Sequence, residues 1–353
     1  MLRFEERAAA RPASLFTHSF TLSPNPGARR AGSLIAAAAS VLAFAATSGV
    51  SAESLAQPRD TALERQAAEY VRFRADIAEI EKTPFTNAKV TREAHRLLSS
   101  HDSEALSSGW VAYAALVAAD TPSFREALEK QVKKSKRRKD RLTGKDAFFA
   151  DLAQDPSLPR KLDGAEEAMS RVLAMTMEDA TRFNKLGESF KQQAYAMQKT
   201  KWGVARLSKS SARLSEADSF ARSRGPATTP TFASVTDDGL TAPALSSADS
   251  SWDPNWGSSA GKGDLKEPNA QVIMDRVLNL AARYSFGRLN AKTVEVYAKN
   301  DRSNQCLHFA NITLKQCIAA TRTPYEEAFC LGQHGLNDTA GCIGWVAGFE
   351  PAE

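Results

Sequence analysis

Four cysteines, Cys306, Cys317, Cys330 and Cys342, are the chain's clearest chemical resource, and all lie in its last 48 residues. Their spacings are C-x10-C, C-x12-C and C-x11-C. A zinc knuckle needs ligands a few residues apart, and there is no C-x-x-C pair. An even count lets every thiol pair, which leaves no free nucleophile. The chemistry these residues favour is disulfide formation, which belongs to an oxidising compartment. His308 and His334 flank them, with Glu326 and Glu327 nearby, but no metal and no cofactor is expected.

A second group could do acid–base work. His95 and His101 lie close in sequence to Glu93, Asp102 and Glu104. Surface helices of average composition produce such clusters routinely, so no catalytic residue is assigned. G-x-S-x-G, H-E-x-x-H, a Walker loop and a Rossmann glycine pattern are all missing from the sequence. An enzyme is therefore the less favoured expectation.

Two features could make contacts. Lys133, Lys134, Lys136, Arg137, Arg138 and Lys139 form the densest charge cluster, with Arg141 after it. It could meet anionic lipid or another polyanion. It is also what a solvated helix C-terminus looks like, because cations complement the helix dipole there. Trp252 and Trp256 stand in WDPNWG inside a polar stretch. They could anchor a partner; the favoured reading is that they pin the stretch onto its own domain.

The elements that must position these residues are helical. Leu63, Ala67, Tyr70, Val71, Arg74, Ile77 and Ile80 recur at helical spacing, up to Pro84. Trp110–Ala119 is apolar nearly all round, which predicts a helix buried on most sides. Asp120-Thr121-Pro122 then restarts a helix. Gly164 to about Lys201 carries an apolar stripe at alternating spacings of three and four, which predicts a long bundle helix. The stretch 225–267 is rich in Pro, Gly and Ser and is expected to be a linker or long loop. The expected architecture is all-α: a multi-helix bundle over 58–224, then a small disulfide-closed helical domain over 268–350.

Four cysteines permit three pairings. Asn304–Ala320 and Tyr325–Leu336 look like antiparallel helices joined at Thr323-Pro324. Facing residues in such a hairpin have a constant index sum. Cys317 with Cys330 and Cys306 with Cys342 satisfy one register, which favours that nested pairing. One angle disagrees. Twelve residues turn Cys342 about 120° away from Cys330 in an α-helix. Gly332, Gly335 and Gly341 are expected to break the second helix and correct it.

The N-terminal region has the order of an export signal. Arg29 and Arg30 precede an apolar run from Ser33 to Phe44, and Val50-Ser51-Ala52 follows. Cleavage is expected after Ala52, and the product is expected in the periplasm or outside the cell. An uncleaved anchor and a mitochondrial presequence are alternatives; Glu5 and Glu6 count against the latter. Residues 1–52 hold five Arg and two Glu, which leaves 41 basic and 39 acidic residues of the full 46 and 41. The resulting net charge of +2 gives no support for a nucleic-acid role. No later apolar run could span a bilayer, so a soluble product is expected.

GWVAYAALVAADTPSF at Gly109–Phe124 and ATRTPYEEAFCLGQHGLND at Ala320–Asp338 resemble a family of exported alphaproteobacterial proteins. The resemblance implies export and no particular activity. The cysteine region is also similar to twin-cysteine helical hairpins, but those use C-x9-C in both arms and neither arm here does. The function expected is that of a non-enzymatic envelope or secreted interaction protein, whose partner is a protein or an anionic envelope component. A periplasmic hydrolase and a ligand-carrying bundle are the alternatives.

Overall fold

The computed structural model describes residues 62–138, 141–222, 224–229, 234–235, 239–256 and 261–351. The expected leader and Lys139 lie outside them.

The apolar run after Asp102 forms α3 (Ser103–Ala119). The Asp102 carboxylate accepts a hydrogen bond from the Ala105 amide at its start. Pro122 opens α4 (Pro122–Arg138) just past its end. From Trp110 to Ala119 no residue is more than 2 % exposed. Packed against α3 are α1 (Ala62–Glu81), α6 (Ala165–Met197), α8 (Pro268–Ser285) and α10 (Asp301–Ala320). Gly109 permits the close approach of α1, since a Cβ there would stand 2.8 Å from the Tyr70 amide nitrogen.

Shorter helices complete the body: α2 (Ala88–Leu98), α5 (Gly144–Gln154), α7 (Ser210–Arg222) and α9 (Ala291–Tyr297). Asn87 caps α2 by accepting from the Lys89 and Val90 amides. The architecture is all-α. Described strand content is one two-residue antiparallel pair, Ser234–Val235 with Thr241–Ala242. Helices from the N-terminal region and from 268–350 share one buried core. The described part of 225–267 holds that strand pair and two short 3-10 turns, Leu245–Ser247 and Ser250–Trp252, and sends Leu240, Leu245, Trp252 and Trp256 into that core.

At the C-terminus, α11 (Pro324–Cys330) passes into a π-helical turn (Leu331–Asn337) and then α12 (Asp338–Gly344). Thr323 and Glu326 form a capping box at the start, and Glu326 accepts from the Thr323 amide at 3.0 Å. Disulfides join Cys306 to Cys342 and Cys317 to Cys330, the nested pairing. The glycines do not break the second helix as expected. It stays continuous and changes its winding instead. A π turn advances about 80° per residue rather than about 100°. Seven such residues remove roughly 140°, which cancels the 120° mismatch between Cys330 and Cys342. The π turn also lies directly on α6, where a Cβ at Gly332 would stand 2.6 Å from the Gly187 carbonyl oxygen.

Candidate functional site

A cleft of about 1020 Å³ lies where the start of α3, the end of α7 and the side of α10 meet. His101 and Arg224 line it, and behind them both meet Asp76, a buried carboxylate from a distant part of the chain. Asp76 on α1 accepts from His101 Nε2 at 2.6 Å and from Arg224 Nη2 at 2.9 Å. Arg224 Nη1 also reaches Ser100 Oγ at 2.9 Å. Phe73 meets the His101 ring edge to face, at 5.0 Å between centroids.

Burial lowers the His101 pKa below the usual histidine value, although the adjacent Asp76 opposes this. A neutral imidazole donating from Nε2 to Asp76 fits both observations. Burial also works against an ionised Asp76. The hydrogen bonds from His101 and Arg224 outweigh it and hold the carboxyl below its ordinary range. The far wall of the cleft is α10. There Phe309 is 66 % exposed and Ile312 stands one turn on, also exposed. Asn304, Gln305 and Asn311 line the same wall. Asn311 Oδ1 is buried and has no hydrogen-bond partner among the described residues.

A parallel cluster lies at the other end of α7. Glu327 on α11 accepts from His95 Nδ1 at 2.9 Å and pairs with Arg213 Nη2 at 3.2 Å. Arg213 Nε also donates to the Ile318 carbonyl at 3.1 Å. Thus α7 is fastened at both ends by an arginine on a carboxylate that also holds a histidine.

The two histidines singled out from sequence do pair with carboxylates, but with Asp76 and Glu327 rather than their sequence neighbours. Glu93 instead binds Arg96, and Asp102 caps α3. Asp76 falls on the same face of α1 as Phe73 and Ile80, and a charge on an apolar face is the signal that could have found it. Glu327 carries no comparable mark. His308 lines the large cleft, while His334 binds Asp338 at 2.8 Å. Among the described residues no three His, Cys, Asp or Glu side chains are grouped to hold a metal ion.

Of the expected contact residues, Lys133, Lys134, Lys136 and Arg137 are exposed on α4. Trp252 and Trp256 are not available to a partner, because both are buried. Trp252 meets the Tyr113 ring at 6.1 Å between centroids, and Trp256 packs with Arg74, which is fully buried. Its guanidinium lies 4.5 Å from the Trp256 ring centre. Arg74 donates to Tyr113 Oη, Ser251 O and Asp253 O at 2.7, 2.6 and 2.9 Å. Its Nη2 lies 3.2 Å from Asp179 Oδ1, and Tyr70 donates to Asp179 Oδ2 at 2.6 Å. The Trp252 carbonyl accepts from Tyr113 Oη at 2.7 Å. These bonds pin the WDPNWG stretch by its backbone as well as its rings.

No family model, curated protein or solved structure matches this chain.

Proposed function

We propose that the protein is an exported, non-enzymatic interaction protein that holds an extended segment of a partner polypeptide along α10. The observation that carries this reading is the α10 wall of the large cleft. It combines an exposed aromatic ring, Phe309, with the amide side chains of Asn304, Gln305 and Asn311. Amide side chains match the donors and acceptors of a polypeptide backbone without demanding a charge. Phe309 and Ile312 offer an apolar contact for one side chain of the segment.

Two disulfides support export, since such bonds persist in oxidising compartments. Among the described residues no helix is long and apolar enough to cross a membrane. A start at Glu53 in the purified protein, with both disulfides intact by mass, is the expected outcome for export. A retained leader or four free thiols would overturn it.

The interaction reading is tested on a peptide array probed with the disulfide-bonded chain. Bound peptides should share an apolar side chain, and Phe309→Asp should weaken their binding about tenfold or more. Equal binding by the variant removes the α10 wall from the function. One observation favours a hydrolase instead: His101 borders the same cleft with Asp76 holding its Nε2. Turnover of a bound peptide that His101→Asn abolishes would select that reading.

A further inference from the structure

The basic end of α4 and the turn after it form a docking surface for an anionic phospholipid bilayer, as we infer from three observations. The first is charge concentration. Residues 130–145 hold nine Lys and Arg against one Asp. The whole chain beyond Ala52 has a net charge of only +2, so the remainder is net acidic. The second is placement. Lys130, Lys133, Lys134 and Arg137 recur at helical spacing on one face of α4, and all are exposed. Glu129 pairs with Lys133 at 2.7 Å. Lys134, Lys136, Arg137 and Arg141 have no acidic partner among the described residues.

The third observation decides between a lipid surface and a merely solvated helix end. The macrodipole attracts cations only within the last turn, and Lys130 and Lys133 lie before it. Leu142 in the turn beyond is 40 % exposed and is flanked by Arg141. An apolar side chain at the tip of a cationic ridge gains nothing from water or from a soluble polyanion. Against a bilayer it enters the interface while the cations meet the headgroups. The start of α5, just past Leu142, is packed onto α4. Gly144 packs against Val132 so closely that a Cβ there would stand 2.8 Å from Val132 Cγ1. Leu142 is therefore followed, at Gly144, by a residue fixed against the same helix that carries the cations.

This inference goes beyond the peptide-holding reading and shares only the export reading with it. The probe is the disulfide-bonded chain sedimented with phosphatidylglycerol–phosphatidylcholine vesicles, and with phosphatidylcholine vesicles alone. Binding is expected only to the anionic vesicles. It should fall steeply between about 0.1 M and about 0.5 M salt, as the Debye length shortens. Replacing Lys133, Lys134, Lys136 and Arg137 by Gln should weaken it about 100-fold. Leu142→Asn should weaken it about fivefold. Phe309→Asp should leave it unchanged, which separates this surface from the α10 wall. All five positions are exposed, so melting curves by circular dichroism should match the parent. Were the fourfold variant to melt differently, the parent's own salt titration and Leu142→Asn decide. Failure of the parent to bind anionic vesicles overturns the proposal. So does tight binding to soluble polyphosphate together with indifference of vesicle binding to Leu142→Asn, which would make the partner a soluble polyanion.

Discussion

Arg74 and Arg224 each neutralise a carboxylate from another part of the chain, yet the two carboxyls shift in opposite directions. Asp179, beneath Arg74, is pushed above the ordinary carboxylate range by its burial, against the pull of Arg74. Asp76, beside Arg224, is held below that range by its hydrogen bonds. Both have an arginine, and both accept a further hydrogen bond. The difference is depth. Arg74 and Asp179 are wholly buried, whereas the Arg224 side chain retains 22 % of its exposure. Desolvation wins at the first site and charge-assisted hydrogen bonding at the second. The same pair is thus a core fastener in one place and a fastener at the edge of a cleft in the other.

The largest effect should come from breaking the deep pair. Asp179→Asn leaves Arg74 charged and without its carboxylate, which should destabilise the fold by about 3–5 kcal/mol. Urea unfolding measures it. The double variant Arg74→Met, Asp179→Leu should recover part of this loss, because no lone charge remains. Recovery should stay incomplete, since Arg74 also holds the Ser251 and Asp253 carbonyls. Full recovery would mean that those carbonyls find water instead.

Next comes the Cys317–Cys330 disulfide, which closes a loop with a sequence separation of 13. Replacing both residues by Ser should destabilise by about 3 kcal/mol on chain-entropy grounds. It also loosens α11 from α10, and with it Glu327 from the Arg213 that rests on both. Hydrogen exchange should therefore quicken at the start of α7 and remain slow in α3. Unchanged exchange in α7 would show that its fastening does not depend on the bond.

Much of this arrangement is legible in the sequence. The buried character of α3 follows from Trp110–Ala119, and the α4 start from Asp120-Thr121-Pro122. The cysteine register follows from two helices of matched length. What the sequence hides has physical reasons. Gly332 and Gly335 signal a helix break, while the structure keeps both in a π turn, where Gly332 makes a close crossing on α6 and Gly335 faces Leu98 and Leu314. His95 and Glu327 are 232 residues apart, and pairing across that distance leaves no local period. Arg74 was visible on a helix with an apolar face, but its partners were not, and Asp76 was not singled out at all. The Trp pair follows the same logic. Aromatic residues in a polar stretch are equally suited to a partner or to self-packing, and Arg74 decides it for the latter.

A pH titration sharpens the comparison further. The folded His101 has a depressed pKa, so the unfolded chain binds its proton first. Stability is therefore retained above about pH 6.5 and falls as the pH drops below it. His101→Asn should flatten that part of the profile. Asp76 also has a depressed folded pKa, so its contribution is present above about pH 4 and is lost as the pH falls through its folded pKa. Asp179 has the opposite sign. Its raised pKa means that the folded state takes up this proton before the unfolded state does, which favours the fold as acid is added. Thermal melts from pH 8 to pH 3 check all three signs, and a His101→Asn profile parallel to the parent's would remove His101 from the acid response.

The smallest effect tests whether depth is the controlling variable. Arg224→Gln removes a partly exposed arginine from Asp76 but leaves the carboxylate its hydrogen bond to His101. The loss should be about 1 kcal/mol, in the range of partly exposed pairs. Asp76 should then ionise at a higher pH, because one of the groups holding its pKa down is gone. The acid limb of the stability profile should move to higher pH in step. A loss as large as that of Asp179→Asn would mean that the partial exposure of Arg224 does not weaken the pair. The two sites would then differ in their hydrogen bonds rather than in their depth, and the opposite pKa shifts would need that explanation instead.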